Sequence, residues 1–217
     1  MKYNCYILLL FIVFILSFSI VRANNLELFG KLIYIDAGHG GVDPGAVYKD
    51  IHEKHINLSI AKRLRDELIK KGAIVYMTRY NDNDLSSIKA SRRKQSDLSN
   101  RAKLINTSNA DIYISIHLNS SNNTNYNGVQ MFYDDVNEKN KLFAQSLQNE
   151  FNKNKKIKEI YNLYMYKNIK VPGVLAEVGY ISNNNDRMLL LTNKHQKEIS
   201  EKLVNGIKNY FKYKSLK

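Results

Sequence analysis

The strongest constraint on the fold is an alternation. Between Lys31 and Tyr210, short apolar runs of strand length take turns with stretches whose apolar residues recur every three or four positions. Residues 32–35, 73–78, 111–117, 128–133 and 173–179 read as strands, with a further short strand expected at 163–166. Residues 53–71, 97–106, 137–151, 185–191 and 196–210 read as helices. The first of these is the clearest. Ile56, Ile60, Leu64 and Leu68 form its apolar stripe, Ala61 and Ile69 widen it, and Gly72 ends it. In the helix over 137–151, Leu142, Phe143, Leu147 and Phe151 are expected to face inward. Such alternation predicts an α/β domain, a sheet covered by helices on both faces. The short link between 111–117 and 128–133 implies that not every strand is parallel. No repeat, low-complexity linker or second domain interrupts the pattern.

The strands end in polar residues of an unusual kind. The first breaks directly into Ala37-Gly38-His39-Gly40-Gly41, where glycines on both sides of a histidine allow uncommon backbone angles and close approach of a ligand. Open α/β sheets bind ligands at the carboxyl ends of their strands, although a buried histidine in a tight turn satisfies the same pattern. A second strand ends at His117. A third carries Glu177 inside Val174-Leu175-Ala176-Glu177-Val178, where a charge costs several kcal/mol unless it is paired or metal-bound. Glu53 opens the first helix, where a helix dipole alone would favour it. Taken together, two histidines and a carboxylate are the ligand set of a catalytic zinc site, and a further carboxylate off the metal can serve as general base.

His52-Glu53-Lys54-His55 imitates the H-E-x-x-H helix of metalloproteases, but its histidines stand three apart instead of four, so that signature is absent. His52 and His55 read as mostly exposed neighbours, and His195 lies in a polar helix start, further still from a site role. The stretch 80–96, with its basic cluster Arg92-Arg93-Lys94, reads as a surface loop that could face a substrate. Asp36 suits either a partner that orients a metal ligand or a structural turn. Arg79 and Arg101 could meet substrate carboxylates or core acids, with the structural role favoured.

Basic residues outnumber acidic ones by 33 − 20 = 13. Residues 1–23 hold Lys2 and Arg22 and no acid, so a chain starting at Asn24 carries +11. This charge favours an anionic partner (nucleic acid, a membrane surface or an acidic polymer) or is simply spread for solubility. No basic, aromatic-interleaved stripe supports a nucleic-acid binder. The single cysteine, Cys5, lies near the N-terminus, so the remainder of the chain has no disulfide and no cysteine metal site. Residues 1–23 combine Lys2, the apolar run 6–20 and the small-residue pattern Val21-Arg22-Ala23. They read as a signal peptide cleaved after Ala23, or as an uncleaved membrane anchor. In both cases residues 25–217 form the working domain, exported across the cytoplasmic membrane.

The blocks IYIDAGHGGVDPGA, EKHINLSIAKRL, MTR, DIYISIHLNSS and VLAEVGYISNNND, in this order, resemble the zinc-dependent N-acetylmuramoyl-L-alanine amidases of bacterial cell walls. The resemblance extends from about Leu32 to Phe211. It implies a twisted, mostly parallel sheet of about six strands flanked by helices. It also implies His39, Glu53 and His117 as ligands of Zn2+ and Glu177 as the catalytic carboxylate. The substrate implied is peptidoglycan, cut between the muramic acid lactyl group and L-alanine. YNDNDLSSIKASRRKQSDLSNR and the compact size further resemble the germination-specific members found in spore formers. Those act on spore-cortex peptidoglycan so that a deacetylase can make muramic δ-lactam, which would place the protein in the cell wall or the forespore intermembrane space and cortex. A compact amidase of this type could depend on an activating protein partner during sporulation, and a retained N-terminal segment would tether it to the membrane. The alternatives are a general autolysin, another zinc peptidase, or a wall-binding module without activity, the last disfavoured because all four key positions are occupied.

Overall fold

The computed structural model describes residues 26–214, together with Tyr6 and Phe11. The expected signal or anchor, residues 1–23, lies outside the described residues but for those two side chains. Among the described residues no helix is long and apolar enough to cross a membrane.

The alternation read in the sequence becomes a six-stranded sheet. In chain order its strands are β1 (Leu32–Ala37), β4 (Ile74–Met77), β5 (Ile112–Asn119), β6 (Gln130–Tyr133), β7 (Lys158–Glu159) and β8 (Gly173–Tyr180). Their order across the sheet is β4-β1-β5-β8-β6-β7. The first four are mutually parallel, and β6 runs antiparallel to β8, with β7 parallel to β6. This is the mixed, mostly parallel α/β sheet that the sequence predicts. A small separate hairpin, β2 (Val47–Tyr48) with β3 (Ile51–His52), precedes the first helix.

Within residues 26–214 the helices are α1 (Glu53–Lys70), α2 (Arg93–Asn106), α3 (Lys139–Asn152), α4 (Asn184–Leu190) and α5 (Asn193–Lys214), with a 3₁₀ turn at Tyr166–Asn168. Side chains alternate across a strand, so each strand serves two faces. Ile33, Ile35 and Ala37 of β1, Ile112, Ile114 and Ile116 of β5, and Val174, Ala176 and Val178 of β8 share one face. There they meet Ile60 and Leu64 of α1, Phe143 and Leu147 of α3, and Leu203 and Ile207 of α5 in the main core. The other face is thinner. Tyr34, Tyr113 and Leu175 pack under Ala102 and Ile105 of α2 and under Met165, Tyr166 and Ile169. That second cover stops short of the carboxyl edge of the sheet, so a cleft remains over the ends of β1, β5 and β8.

Several local expectations need correction. Ile69 and Leu142 are exposed: each sits one residue from a buried neighbour, Leu68 or Phe143, and a 100° step carries it off the apolar stripe. No strand forms at 163–166. Met165 and Tyr166 tuck into the smaller core, and the chain turns there instead of extending. Helix α2 begins four residues before the expected start, taking in Arg93 and Lys94. The preceding loop is stitched to that early turn: Leu85 donates its backbone N–H to Asp97 at 2.7 Å, Ser87 to Ser96 Oγ at 3.0 Å, and Asn100 reaches the Leu85 carbonyl at 2.6 Å. These polar side-chain bonds leave no hydrophobic period to read.

Candidate active site and metal centre

The site is built from three strand ends and one helix start. His39 follows β1, His117 lies near the end of β5, Glu177 pairs with it in register on β8, and Glu53 is the first residue of α1. Because β5 and β8 are parallel, His117 and Glu177 fall on the same, thinly covered face.

The structure brings His39, Glu53 and His117 together. Each offers a ligand atom, and these atoms lie within 4.8 Å of one another. His39 Nε2 stands 3.2 Å from Glu53 Oε2, and His117 Nδ1 stands 3.0 Å from Glu53 Oε1. The two imidazoles meet edge to face with centroids 4.8 Å apart. Glu53 is fixed from behind: Ala46 N–H donates to Oε2 at 2.8 Å, and Leu118 N–H and the Asn57 amide donate to Oε1 at 2.9 and 3.0 Å. Burial alone would raise its pKa, but the bonds from His117 and His39 and their charge outweigh burial and hold it ionised far below the usual carboxylate range.

The crowding of these groups requires glycine at two positions. A Cβ on Gly38 would sit 2.2 Å from His117 Nε2, and one on Gly45 would sit 2.6 Å from both Glu53 Oε2 and His39 Cδ2. Gly45 also has φ +68°, a left-handed angle that glycine alone takes without cost.

His39 itself has φ +60°, unusual for a residue with a side chain. Two buried arginines clamp the backbone around it. Arg101 donates to the carbonyls of Ala37 at 2.9 Å and His39 at 2.6 Å. Arg79 donates to Ala37 O at 2.8 Å and to Gly38 O at 2.9 Å. Arg101 is in turn held by Asp36 at 2.7 Å and Asp97 at 2.9 Å. Both arginines are thus structural. Asp36 touches no histidine; it also accepts from Thr78 Oγ1 at 2.8 Å and Ser115 Oγ at 2.5 Å, and acts on the site through Arg101.

One residue escaped the sequence reading. Asp43 accepts from His39 Nδ1 at 2.9 Å, orienting the ring so that Nε2 faces Glu53. The signal lay in the four-residue spacing of His39 and Asp43 within one glycine-rich loop. Burial lowers the readiness of His39 to protonate, but Glu53 and Asp43 together outweigh it and raise its pKa.

Glu177 stands apart from the triad's hydrogen bonds. Its Oε2 is buried and has no hydrogen-bond partner among the described residues. Burial, together with the charge of Glu53, overcomes the pull of the two histidines and pushes its carboxyl up to about 7. A carboxylate that can both take and give a proton near neutrality suits general acid–base work. His52 and His55 stack on each other with centroids 5.6 Å apart, outside the cluster, and His195 lies on α5 beside Glu198 at 3.5 Å.

The donor set fits a divalent metal ion. Two imidazoles and one ionised carboxylate converge, with His39 braced by Asp43 and Glu53 by Asn57 and two backbone N–H groups, which is how transition-metal ligands are oriented.

A family model described as N-acetylmuramoyl-L-alanine amidase matches residues 33–209. The germination-specific N-acetylmuramoyl-L-alanine amidase of Bacillus subtilis is 41% identical over 219 residues, covering 94% of this chain and 92% of that protein. Among solved structures, the CwlD amidase from Clostridioides difficile, in complex with the GerS lipoprotein, superposes with a TM-score of 0.81. It is 34% identical over 85% of this chain and 100% of that one. The catalytic domain of CwlV, an N-acetylmuramoyl-L-alanine amidase from Bacillus (Paenibacillus) polymyxa, gives a TM-score of 0.73 at 28% identity, over 84% of this chain and 98% of that one. The chain belongs to the N-acetylmuramoyl-L-alanine amidase family.

Proposed function

We propose that this amidase binds Zn2+ through His39, Glu53 and His117 and uses Glu177 as its proton-transfer residue. Its action is to cut the bond between the muramic lactyl group and L-alanine in spore-cortex peptidoglycan. The observation that carries the reading is the pairing of a braced His-Glu-His cluster with a buried, unpartnered carboxylate on the adjoining strand.

A bound zinc ion supplies carbonyl polarisation and a lowered pKa for bound water. Everything else falls to the chain. Glu177 accepts the proton of the attacking water and returns it to the departing L-alanine amine, so that neither a strong base nor a free amide anion is released. Asp43 holds the His39 ring in one orientation. Asn57 and the N–H groups of Ala46 and Leu118 keep the Glu53 carboxylate fixed, and the arginine pair keeps the His39 loop from collapsing. Zinc over other divalent ions rests on the mixed nitrogen and oxygen donors, two imidazoles to one carboxylate.

The cortex setting rests on the likeness to the germination-specific relative. Residues 1–23 act as an export signal or membrane tether, and residues 25–217 as the catalytic domain, which puts the substrate outside the cytoplasmic membrane. The CwlD structure, in complex with the GerS lipoprotein, supports a protein partner for this chain, which in our reading activates it during sporulation. The test is muropeptide analysis of spore cortex from a strain lacking this protein. Muramic δ-lactam returns on complementation with the wild-type chain and stays absent with Glu177→Gln. Normal δ-lactam in the deletion strain would refute the cortex role.

A further inference from the structure

Two cations line the cleft above Glu177, Arg101 and Lys94. Arg101 is spent on Asp36, Asp97 and two backbone carbonyls. The Lys94 ammonium makes no hydrogen bond or ion pair among the described residues, and Asp43 is near enough to feel its charge. From the cleft it continues into an adjoining open groove, which it shares with Arg92, Leu98 and Tyr164. Arg93, beside it, is tied to Asp84 at 2.8 Å. The carboxylates along the cleft are mostly paired: Asp43 with His39 at 2.9 Å, and Asp36 and Asp97 with Arg101 at 2.7 and 2.9 Å. Lys94 is therefore the cation on the cleft wall that is left to meet an anionic group of a substrate.

We propose that Lys94, backed by Arg92, seats a free carboxylate on the peptide side of the cut, with Leu98 and Tyr164 as the walls along which that peptide lies. The enzyme thereby prefers acidic stem peptides over their amidated counterparts. The inference rests on the amidase reading above and names the chemistry that this site selects. Lys94 is a specificity residue: it meets substrate at a distance from the reacting bond, and its ammonium matches a carboxylate but gains nothing from a neutral carboxamide.

The test uses two muramoyl dipeptides that differ only in a free carboxyl or a carboxamide on the residue after L-alanine. Their kcat/KM values are measured with the wild-type protein, Lys94→Gln and Lys94→Arg. In parallel, calorimetry reads binding of the two corresponding free dipeptides, which cannot be cleaved. We expect about a fivefold preference for the acid form, the scale of a partly exposed ion pair. It should be abolished in Lys94→Gln, largely kept in Lys94→Arg, and weakened by salt. An equal rate on both substrates, or an unchanged preference in Lys94→Gln, overturns the proposal. Cleavage of neither substrate would count against the amidase reading instead, and the calorimetric preference would then decide the role of Lys94 by itself.

Discussion

Replacing Arg101 by leucine removes the cation that pairs directly with Asp36. Asp36 is 0% exposed and Arg101 is 1% exposed, so water cannot take over. The guanidinium donates to Asp36, Asp97, Ala37 O and His39 O. Removing one partner of a buried ion pair costs about 3–5 kcal/mol, because the other charge stays behind uncompensated. For a chain of this size, each kcal/mol lowers Tm by roughly 2–4 °C, so a fall of about 6–20 °C is expected in thermal unfolding. The pH dependence separates this account from simple loss of packing. Burial pushes the Asp36 carboxyl up, but Arg101 and Ser115 outweigh it and hold it below the ordinary range. In the wild type its contribution is present above the unfolded pKa of about 3.9 and is lost as pH falls through the lower, folded value. In Arg101→Leu burial prevails and the pKa rises, so the variant binds its proton already on the way down from neutrality. The stability gap between the two proteins should therefore narrow steadily from pH 7 toward pH 4. Urea unfolding at several pH values measures it. A gap below about 1 kcal/mol at pH 7, or one independent of pH, would refute the reasoning.

Asp43→Asn should weaken zinc binding about 10- to 100-fold while leaving the fold intact, since it loosens only the brace on His39; competition with a fluorescent chelator reads the change. Gly45→Val should cost at least about 2 kcal/mol and lose the metal, because its side chain enters space held by Glu53 and His39 at an unfavourable φ; metal content and Tm of the purified variant check this. In the metal-free protein, Glu177 is pushed up to about 7 by burial, so its contribution favours the native state at low pH and is lost as pH rises from about 4.3 through 7. Glu177→Gln should therefore stabilise the metal-free protein at pH 8 by up to about 3 kcal/mol and have little effect at pH 4. Denaturant titrations at the two pH values test the sign.

The parts of this molecule that were legible in the sequence are those governed by periodicity and by isolated polar residues in apolar runs. The α1 stripe of Ile56, Ile60, Leu64 and Leu68 is visible because burial on one face forces the 3.6-residue spacing. Glu177 stands out because nothing apolar tolerates it without a reason. The antiparallel strand β6 was legible as a consequence of its short link, although its place beside β8 instead of β5 was not, since sheet order depends on long-range packing. Asp43 was missed because a loop has no period, and its significance comes only from the ring it faces. The early start of α2 was hidden for a similar reason: Arg93, Lys94 and Ser96 carry no hydrophobic signal, and the turn is secured by Asp97, Ser96 and Asn100 bonding to the preceding loop. Arg101 could be suspected as structural, but only the fold shows that it grips the carbonyl of His39, more than sixty residues away in sequence.

The central claim is that the His39-Glu53-His117 cluster and Glu177 together hydrolyse the lactyl–alanine amide. It is tested most directly by mass spectrometry of purified peptidoglycan after incubation with the zinc-loaded protein, with Glu177→Gln as the control. The account predicts released stem peptides that begin with a free L-alanine amine, absent in the variant although it retains its zinc. Fragments cut at any other bond, or equal release by Glu177→Gln, would contradict it.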